Sequence, residues 1–203
     1  CSDNYKKQGI FMESQKLFEE IKKSMGDLAP FYPEYRNQKC TNCYAHALGL
    51  HYPDKEYKYY TPGKLSALFN DSDIFDEGVY EQTLLTMGKY CITGEKYIFT
   101  PFQIDSIIQC VKRDCTLLGL HAVESDFFTP SSPNSYKILL YTSNWSTGWH
   151  FVRESTTWEG EKIWTHKPGW TKPIQEIDLS NGYLQFYFEN VLFRFRKCLE
   201  IYF

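Results

Sequence analysis

The chain lacks several features that mark large classes of protein. No apolar run approaches the roughly 20 residues that a membrane-spanning helix needs, so no membrane span is expected. The formal net charge is -3, which argues against a broad basic surface and a nucleic-acid partner. No internal repeat and no low-complexity segment interrupts the 203 residues. These absences leave a globular protein that is long enough to bury one core.

Aromatic residues are abundant, at 18% of the chain, and hydrophobic residues reach 42%, which excludes a disordered or fibrous protein. There are seven cysteines, an odd number. In an oxidising compartment up to three disulfides would leave one thiol over, whereas in a reducing cytosol all would be free. Two glycosylation sequons, at Asn70 and Asn144, accompany them. Together these features favour a secreted or extracytoplasmic protein.

Helical patterns dominate the first part of the chain and strand patterns the second. After about residue 116, short aromatic or β-branched runs alternate with Pro, Gly, Asn and Ser, which predicts strands. This order predicts an α+β fold with one domain over 1–203, mainly helical over 1–115 and mainly an antiparallel sheet over 116–203. The predicted helices cover residues 12–25, 42–50, 62–69, 77–89 and 103–113.

The segment QKCTNCYAHALGL, residues 38–50, contains two cysteines three residues apart. Cys43 falls just inside a predicted helix start, with Thr41 or Asn42 as the cap. Unpaired N–H groups and the dipole at such a start stabilise a thiolate, so Cys43 is a candidate nucleophile. An inert cysteine at a helix start is the alternative.

Two other uses of the cysteine pair fit less well. A structural zinc site would also need Cys110 and Cys115 as ligands. A spacing of five residues along a predicted helix makes those two thiols point in different directions, so they do not suit one metal ion. A thioredoxin-like redox pair belongs near a βαβ unit, whereas a proline-containing loop precedes this one. We therefore expect no metal and no other cofactor.

A nucleophilic thiol needs a base, and His150 is the best placed of five histidines. It enters a predicted strand directly after a glycine-containing turn, a rigid position that is open at one end. His46 follows Cys43 on the same helix and is poorly placed to serve the helix start. His51 lies at the end of that helix, and His121 lies in an apolar strand.

His166 follows on the next predicted strand, and its position depends on the turn between the strands. A three-residue loop with Gly160 in the left-handed conformation places His166 opposite Val152, on the same face as His150. His166 would then accept the second N–H of His150 and orient it. A two-residue loop at Glu159 and Gly160 would move His166 to the other face. In that case His166 is a structural strand residue.

The segment QKCTNCYA resembles the active-site segment of papain-like cysteine peptidases, in which the second cysteine of Cys-Gly-Ser-Cys-Trp-Ala is the nucleophile. The resemblance implies a papain-like fold, with the helix that carries Cys43 packed on the sheet. It also implies that Asn37 or Gln38 assists the Cys43 N–H in stabilising an oxyanion, and that Cys40 is in a disulfide, for which Cys91 is a candidate. A histidine as third member is similar to NlpC-type peptidoglycan hydrolases.

These residues predict a cysteine-nucleophile acyl-transfer enzyme, a peptidase or amidase in which Cys43 attacks a carbonyl carbon of a protein or peptide substrate. His150 is the imidazolium partner and His166 orients it, while Tyr44, Trp145 and Trp149 are expected to line the substrate cleft. A deamidase or transglutaminase-type toxin or effector, acting as a virulence factor, would use the same chemistry.

A catalytically dead module that binds glycans or peptides through aromatic side chains is the competing class. The distance from the Cys43 sulfur to an imidazole nitrogen of His150 separates the classes: within roughly 4 Å favours catalysis, and beyond about 8 Å favours a scaffold. The aromatic residues considered for such a surface are Tyr44, Tyr59, Tyr60, Trp145, Trp149, Trp164 and Trp170.

Overall fold

A computed structural model describes residues 42–50, 61–63, 65, 99–143, 148–168, 172–180, 182–188 and 190–203. The helices predicted over 12–25 and 77–89, and most of the one over 62–69, lie outside these residues. The described helices are α1 (Cys43–Ala47) and α2 (Pro101–Leu117). The described strands are β1 (His121–Ser125), β2 (Ser135–Ser143), β3 (Trp149–Thr156), β4 (Lys162–His166), β5 (Gln175–Glu176), β6 (Gln185–Phe188) and β7 (Val191–Tyr202).

Helix α1 starts where the sequence predicts and ends earlier. The side chain of Asn42 caps it by accepting the backbone N–H of Ala45 at 2.9 Å. Gly49 has a φ of 72°, and its N–H donates to the carbonyl of His46 while that of Leu50 donates to Ala45. This Schellman arrangement closes the helix after five residues, so the prediction that it runs to about Leu50 is wrong.

Helix α2 is longer than the predicted 103–113 at both ends, and its end signals explain why. Thr100 and Gln103 form a reciprocal capping box, and Pro101 occupies the first turn. At the other end Gly119, with a φ of 78°, closes a second Schellman arrangement with Leu120. A strand predicted to begin at residue 116 therefore begins only at His121.

The described strands form one antiparallel sheet in the order β1-β7-β2-β3-β4-β5, with β6 on β7. This confirms the prediction of an α+β fold with an antiparallel sheet. The long strand β7 holds the sheet together because it pairs with β1, β2 and β6. Strand β5 has only two residues, both polar, which is too short for a strand pattern to be visible in the sequence.

The two faces of the sheet cover different cores. One face, which we call the helix face, contacts α1 and α2 and includes Leu140 and Phe151. The other, which we call the aromatic face, includes Tyr141 and Val152 and is covered by rings from the loops and from β6. Successive residues of a strand alternate between the two faces. Every residue of strand β2 is buried because both faces of the sheet are covered at this strand.

Candidate functional site

Cys43, the predicted nucleophile, begins α1 and is buried against β3 on the helix face, with 7% of its surface exposed. Burial raises the pKa of this thiol to about 11, although a hydrogen bond with the Phe151 backbone and the buried ammonium of Lys167 act in the opposite direction. The thiol is therefore protonated at neutral pH. A protonated thiol is a weak nucleophile.

Tyr44 does not line a cleft, and that prediction is wrong. Its side chain is fully buried, and its hydroxyl donates a hydrogen bond to the carboxylate of Asp114 on α2 at 2.8 Å. Its ring contacts those of Phe151, at 5.2 Å between centroids, and Trp149, at 6.3 Å. Tyr44 thus joins α1, α2 and β3. Trp149 is partly buried and packs against the same core.

The hairpin between β3 and β4 adopts the predicted three-residue loop. The backbone N–H of Thr157 donates to the carbonyl of Glu161, and Gly160 has a φ of 82°. His166 consequently pairs with Val152, as that loop requires. The prediction that the side chains of His150 and His166 share a face is confirmed, because Nε2 of His150 lies 2.9 Å from Nδ1 of His166.

Both imidazoles are buried among phenylalanine rings. Measured between ring centroids, His150 lies 5.9 Å from Phe186 and 5.3 Å from Phe193. The centroid of the His166 ring lies 5.4 Å from that of Phe188. Burial lowers the pKa of His150 to about 3, with the neighbouring His166 as a second cause. Burial also lowers the pKa of His166 to about 4, opposed by a hydrogen bond to Gln175. The pair is therefore uncharged at neutral pH.

One hydrogen bond joins the two imidazoles, between Nε2 of His150 and Nδ1 of His166, and which nitrogen donates depends on the tautomers. Gln175, which pairs with His166 across β4 and β5, acts against burial by raising the pKa of His166.

The imidazole pair and the thiol lie on opposite faces of the sheet. Trp149 and Phe151 both contact Tyr44 of α1, so the side chain between them, His150, points away from α1. Its ring contacts on the aromatic face agree with this orientation. The prediction that Cys43 and His150 form a catalytic pair, with His166 as third member, is therefore wrong for this structure, because the sheet separates them.

The remaining predicted site residues fall outside the part of the chain that the structure describes. These are the candidate oxyanion donors Asn37 and Gln38 and the cleft residue Trp145. The suggested disulfide between Cys40 and Cys91 lies outside it as well. Within the described residues the cysteines are free thiols, namely Cys43, Cys110, Cys115 and Cys198.

A polar network under α1 was missed by the sequence analysis. Nε2 of His46 lies 2.9 Å from Oγ1 of Thr165, which lies 2.7 Å from Oγ of Ser155. The guanidinium of Arg153 donates to the carbonyl of His46 at 3.3 Å. The hairpin register pairs Arg153 with Thr165 and so places these polar side chains on one face. This register is the feature of the sequence from which the network could have been predicted. The network ties α1 to β3 and β4.

An aromatic cluster that the sequence analysis also missed lies on the aromatic face. The ring of Phe127 stacks on Tyr183, at 4.2 Å between centroids, and on Trp164, at 5.4 Å. Phe128 meets Tyr183 edge-on at 5.3 Å and is 76% exposed. We call these four side chains the aromatic platform. Of its members, only Trp164 was among the aromatic residues considered from the sequence.

The loop that carries Phe127 and Phe128 is held by buried polar groups. The ammonium of Lys137, a residue that is 1% exposed, donates to the carbonyls of Asp126 and Thr129. The Asp126 carboxylate accepts the backbone N–H groups of Phe128 and Thr129, each at 2.7 Å. Burying an ammonium is costly unless its hydrogen bonds are satisfied, so this contact fixes the loop firmly to the sheet.

Among the residues that the structure describes, nothing indicates a metal site or a membrane-spanning helix. No group of three or more His, Cys, Asp or Glu side chains among them is arranged to hold a metal ion. None of their helices combines the length and the apolar character that crossing a bilayer requires. The chain matches no protein-family model, no curated protein and no solved structure.

Proposed function

We propose that this chain is a non-catalytic peptide-binding module on a papain-like scaffold, and that the aromatic platform is its binding surface. The scaffold part of the proposal is supported by a helix with Cys43 at its head that packs on an antiparallel sheet. The non-catalytic part is supported by the separation of Cys43 from His150 and by the protonated state of the thiol.

The exposure of Phe128 on a fixed loop is the observation that carries the proposal. An aromatic side chain buries about 150–250 Å² when it is covered, and each Å² of apolar surface removed from water contributes about 25 cal/mol. Because Lys137 already holds the loop, a partner would not have to order it on binding. An exposed ring in a fixed position is typical of a residue that dominates an interface.

The surroundings of the platform favour a peptide over a glycan. Sugar recognition needs side chains with hydrogen-bonding groups to spare. Beside Trp164, the polar groups of Ser131, Glu154 and Lys162 are bonded to one another. Leu184, which follows Tyr183 in the chain, is an apolar residue that is 62% exposed. Apolar side chains of an extended peptide match this surface better than hydroxyl groups do.

Selection from a phage-displayed library of random linear peptides tests the proposal. We expect the full chain to enrich peptides that contain apolar side chains. Phe128→Ser should weaken the binding of a selected peptide by at least about tenfold, the equivalent of about 1.4 kcal/mol. Phe102→Ser is the matched control, since Phe102 is 67% exposed on α2 and lies apart from the platform.

Three results would count against the proposal. One is a selection that enriches no peptide, and another is equal binding by wild type and Phe128→Ser. A glycan array that gives hits sensitive to Phe128→Ser, while peptides fail, would replace the peptide with a glycan as the ligand.

Acyl transfer by Cys43, as in a peptidase or amidase, is a second candidate that one observation favours. The fully buried Lys167 lies close enough to Cys43 to lower the pKa of the thiol, so a cation other than His150 is available to stabilise a thiolate. In this case Lys167 replaces the histidine as the partner of the nucleophile.

Labelling with iodoacetamide at neutral pH, followed by intact mass and peptide mapping, distinguishes the two candidates. A binding module predicts that Cys43 reacts no faster than the half-buried Cys110, whose pKa burial also raises to about 11. An enzyme predicts rapid labelling that Cys43→Ser abolishes and Lys167→Met slows. Equal labelling of wild type and Cys43→Ser removes the second candidate.

A further inference from the structure

Two arginines lie close together on the helix face. Arg194 and Arg196 come from the same strand, β7, and the pKa of Arg196 is lowered by burial and by the positive charge of Arg194. Among the residues that the structure describes, neither guanidinium makes an ion pair. Lys197, the next basic residue, does pair, with Glu124 and Asp105.

One of the two guanidinium groups is fixed by a buried hydroxyl. Nε of Arg196 donates to Oγ1 of Thr142 at 2.6 Å, and Thr142 is 1% exposed. Arg196 is also the extra residue in β7 where the pairing with β2 shifts register, since Tyr141 pairs with Phe195 and Leu140 with Lys197. A bulge of this kind re-aims a side chain. Here it brings Arg196 beside Thr142, next to Arg194.

The arginines belong to a row of side chains that crosses four strands. Thr142 pairs with Trp149 on one side and with Arg194 on the other, and Arg194 pairs with Gln185 of β6. Paired residues point to the same face, and Trp149 establishes that it is the helix face. With strands about 4.8 Å apart, the row spans roughly 14 Å. It begins with an indole, continues with a hydroxyl and two guanidinium groups, and ends with an amide.

We infer that Arg194 and Arg196 form a binding site for an oxyanion, the carboxylate or phosphate group of a small ligand. A guanidinium presents five N–H donors in a planar fork that matches both groups. The bond to Thr142 uses only the Nε donor of Arg196, which leaves its terminal N–H groups to bind an anion together with those of Arg194. A bound anion relieves the repulsion between the two charges. Trp149 provides an apolar surface for the rest of the ligand at one end of the row.

This inference is independent of the proposed peptide binding, because the aromatic platform lies on the opposite face of the sheet. Either can fail while the other stands. Phe128→Ser should leave anion binding unchanged, and Arg194→Gln should leave the binding of a selected peptide unchanged.

NMR titration of the ¹⁵N-labelled full chain with inorganic phosphate, and separately with acetate, tests the site at ionic strength held constant with chloride. We expect saturable shifts of the backbone amides of Thr142, Arg194 and Gln185, with a midpoint on the order of 1 mM for the preferred anion. The anion with the lower midpoint identifies the group that the site takes. Arg194→Gln and Arg196→Gln should each raise that midpoint at least about tenfold.

Arg113→Gln on α2 is the matched control and should not change the midpoint. Arg194 is exposed, so its replacement tests the site without disturbing the core. Arg194→Lys keeps the charge and loses the fork, and it should bind the anion with intermediate strength. Shifts that do not saturate with either anion would overturn the inference. So would a midpoint that Arg194→Gln and Arg196→Gln leave unchanged.

Discussion

The helix face and the aromatic face of the sheet are built from the same strands but differ in the role of their buried polar side chains. Beneath α1, the helix face buries a network of His46, Thr165, Ser155 and Arg153 that joins helix to sheet. The aromatic face encloses an imidazole pair in phenylalanine rings. On the helix face polar groups connect layers of structure. On the aromatic face burial keeps the imidazole pair uncharged, and the buried ammonium of Lys137 ties a single loop to the sheet.

Strand β3 contributes side chains to both faces of the sheet. It supplies Trp149, Phe151 and Arg153 to the helix face and His150 and Val152 to the aromatic face. The side chains of two residues that are adjacent along a strand thus lie on opposite sides of the sheet. A thiol that contacts the backbone of Phe151 is close to β3 and still out of reach of the next imidazole.

The largest expected difference between the faces is in the cost of removing a ring. Phe151 is fully buried between Tyr44 and Trp149, so Phe151→Ala should lower the free energy of unfolding by about 4 kcal/mol. Phe186 is partly exposed, so Phe186→Ala should cost about 2 kcal/mol. Urea unfolding measures both. Equal losses would show that the aromatic face is packed as tightly as the helix face.

The imidazole pair should make the aromatic face sensitive to acid. Unfolded histidines bind protons below about pH 6.5, whereas His150 and His166 in the fold do so only near pH 3 and 4. The unfolded state therefore takes up protons first, and stability should fall by about 4 kcal/mol as the pH decreases from 6.5 to 4.5. Urea unfolding at a series of pH values measures this change.

Two variants control for the acid effect: one removes both buried imidazoles, and the other keeps them and removes an exposed histidine. A double variant, His150→Leu with His166→Leu, should lose most of the dependence over this pH window. His121→Leu, on the exposed side of β1, should keep it. A double variant as sensitive to pH as the wild type would assign the effect to other groups.

Removal of the buried ammonium should loosen the aromatic platform without affecting α1. Lys137→Met leaves the carbonyls of Asp126 and Thr129 without their donor, which should cost about 2 kcal/mol. Hydrogen exchange should become faster over 126–129 and remain unchanged over Cys43–Ala47. Lys162→Met removes a partly exposed ion pair with Glu154 and a surface hydrogen bond to Ser131, and it should cost less than about 1 kcal/mol. Faster exchange in α1 would mean that the two faces are coupled.

The hairpin turn that sets the face of His166 should give the smallest effect. Gly160 has a φ of 82° with open space around it, so Gly160→Ala adds backbone strain and no clash. We expect a loss of about 1 kcal/mol in urea unfolding, against less than about 0.5 kcal/mol for the neighbouring Glu159→Ala. Equal losses would mean that the turn does not depend on the left-handed conformation of residue 160.

The sequence predicted those features that local rules determine. Asn42 capped α1 as expected, and Gly160 fixed the register that brings His150 to His166. The length of α1 was misjudged because Gly49 was read as part of the helix when it is the residue that ends it.

The relation between Cys43 and His150 could not be predicted in the same way. Hairpin rules give the faces of residues within a sheet relative to one another, but they do not say which face a helix from elsewhere in the chain will cover. The side on which α1 lies is set by long-range contacts, such as Tyr44 with Asp114 and Phe151. The platform was missed for a similar reason, since Phe127, Trp164 and Tyr183 meet only after the loops fold over the sheet.

Side chains alternate strictly between the two faces of the sheet along β3. Moving the histidine by a single position would therefore place an imidazole on the same face as the Cys43 thiol. Exchanging two adjacent residues, by His150→Phe together with Phe151→His, would present the ring to the sulfur while keeping an aromatic group among the phenylalanines. The chain is therefore a convenient starting point for engineering hydrolytic activity into an existing framework, with the parent protein as a reference that differs only by the exchange of two neighbouring residues.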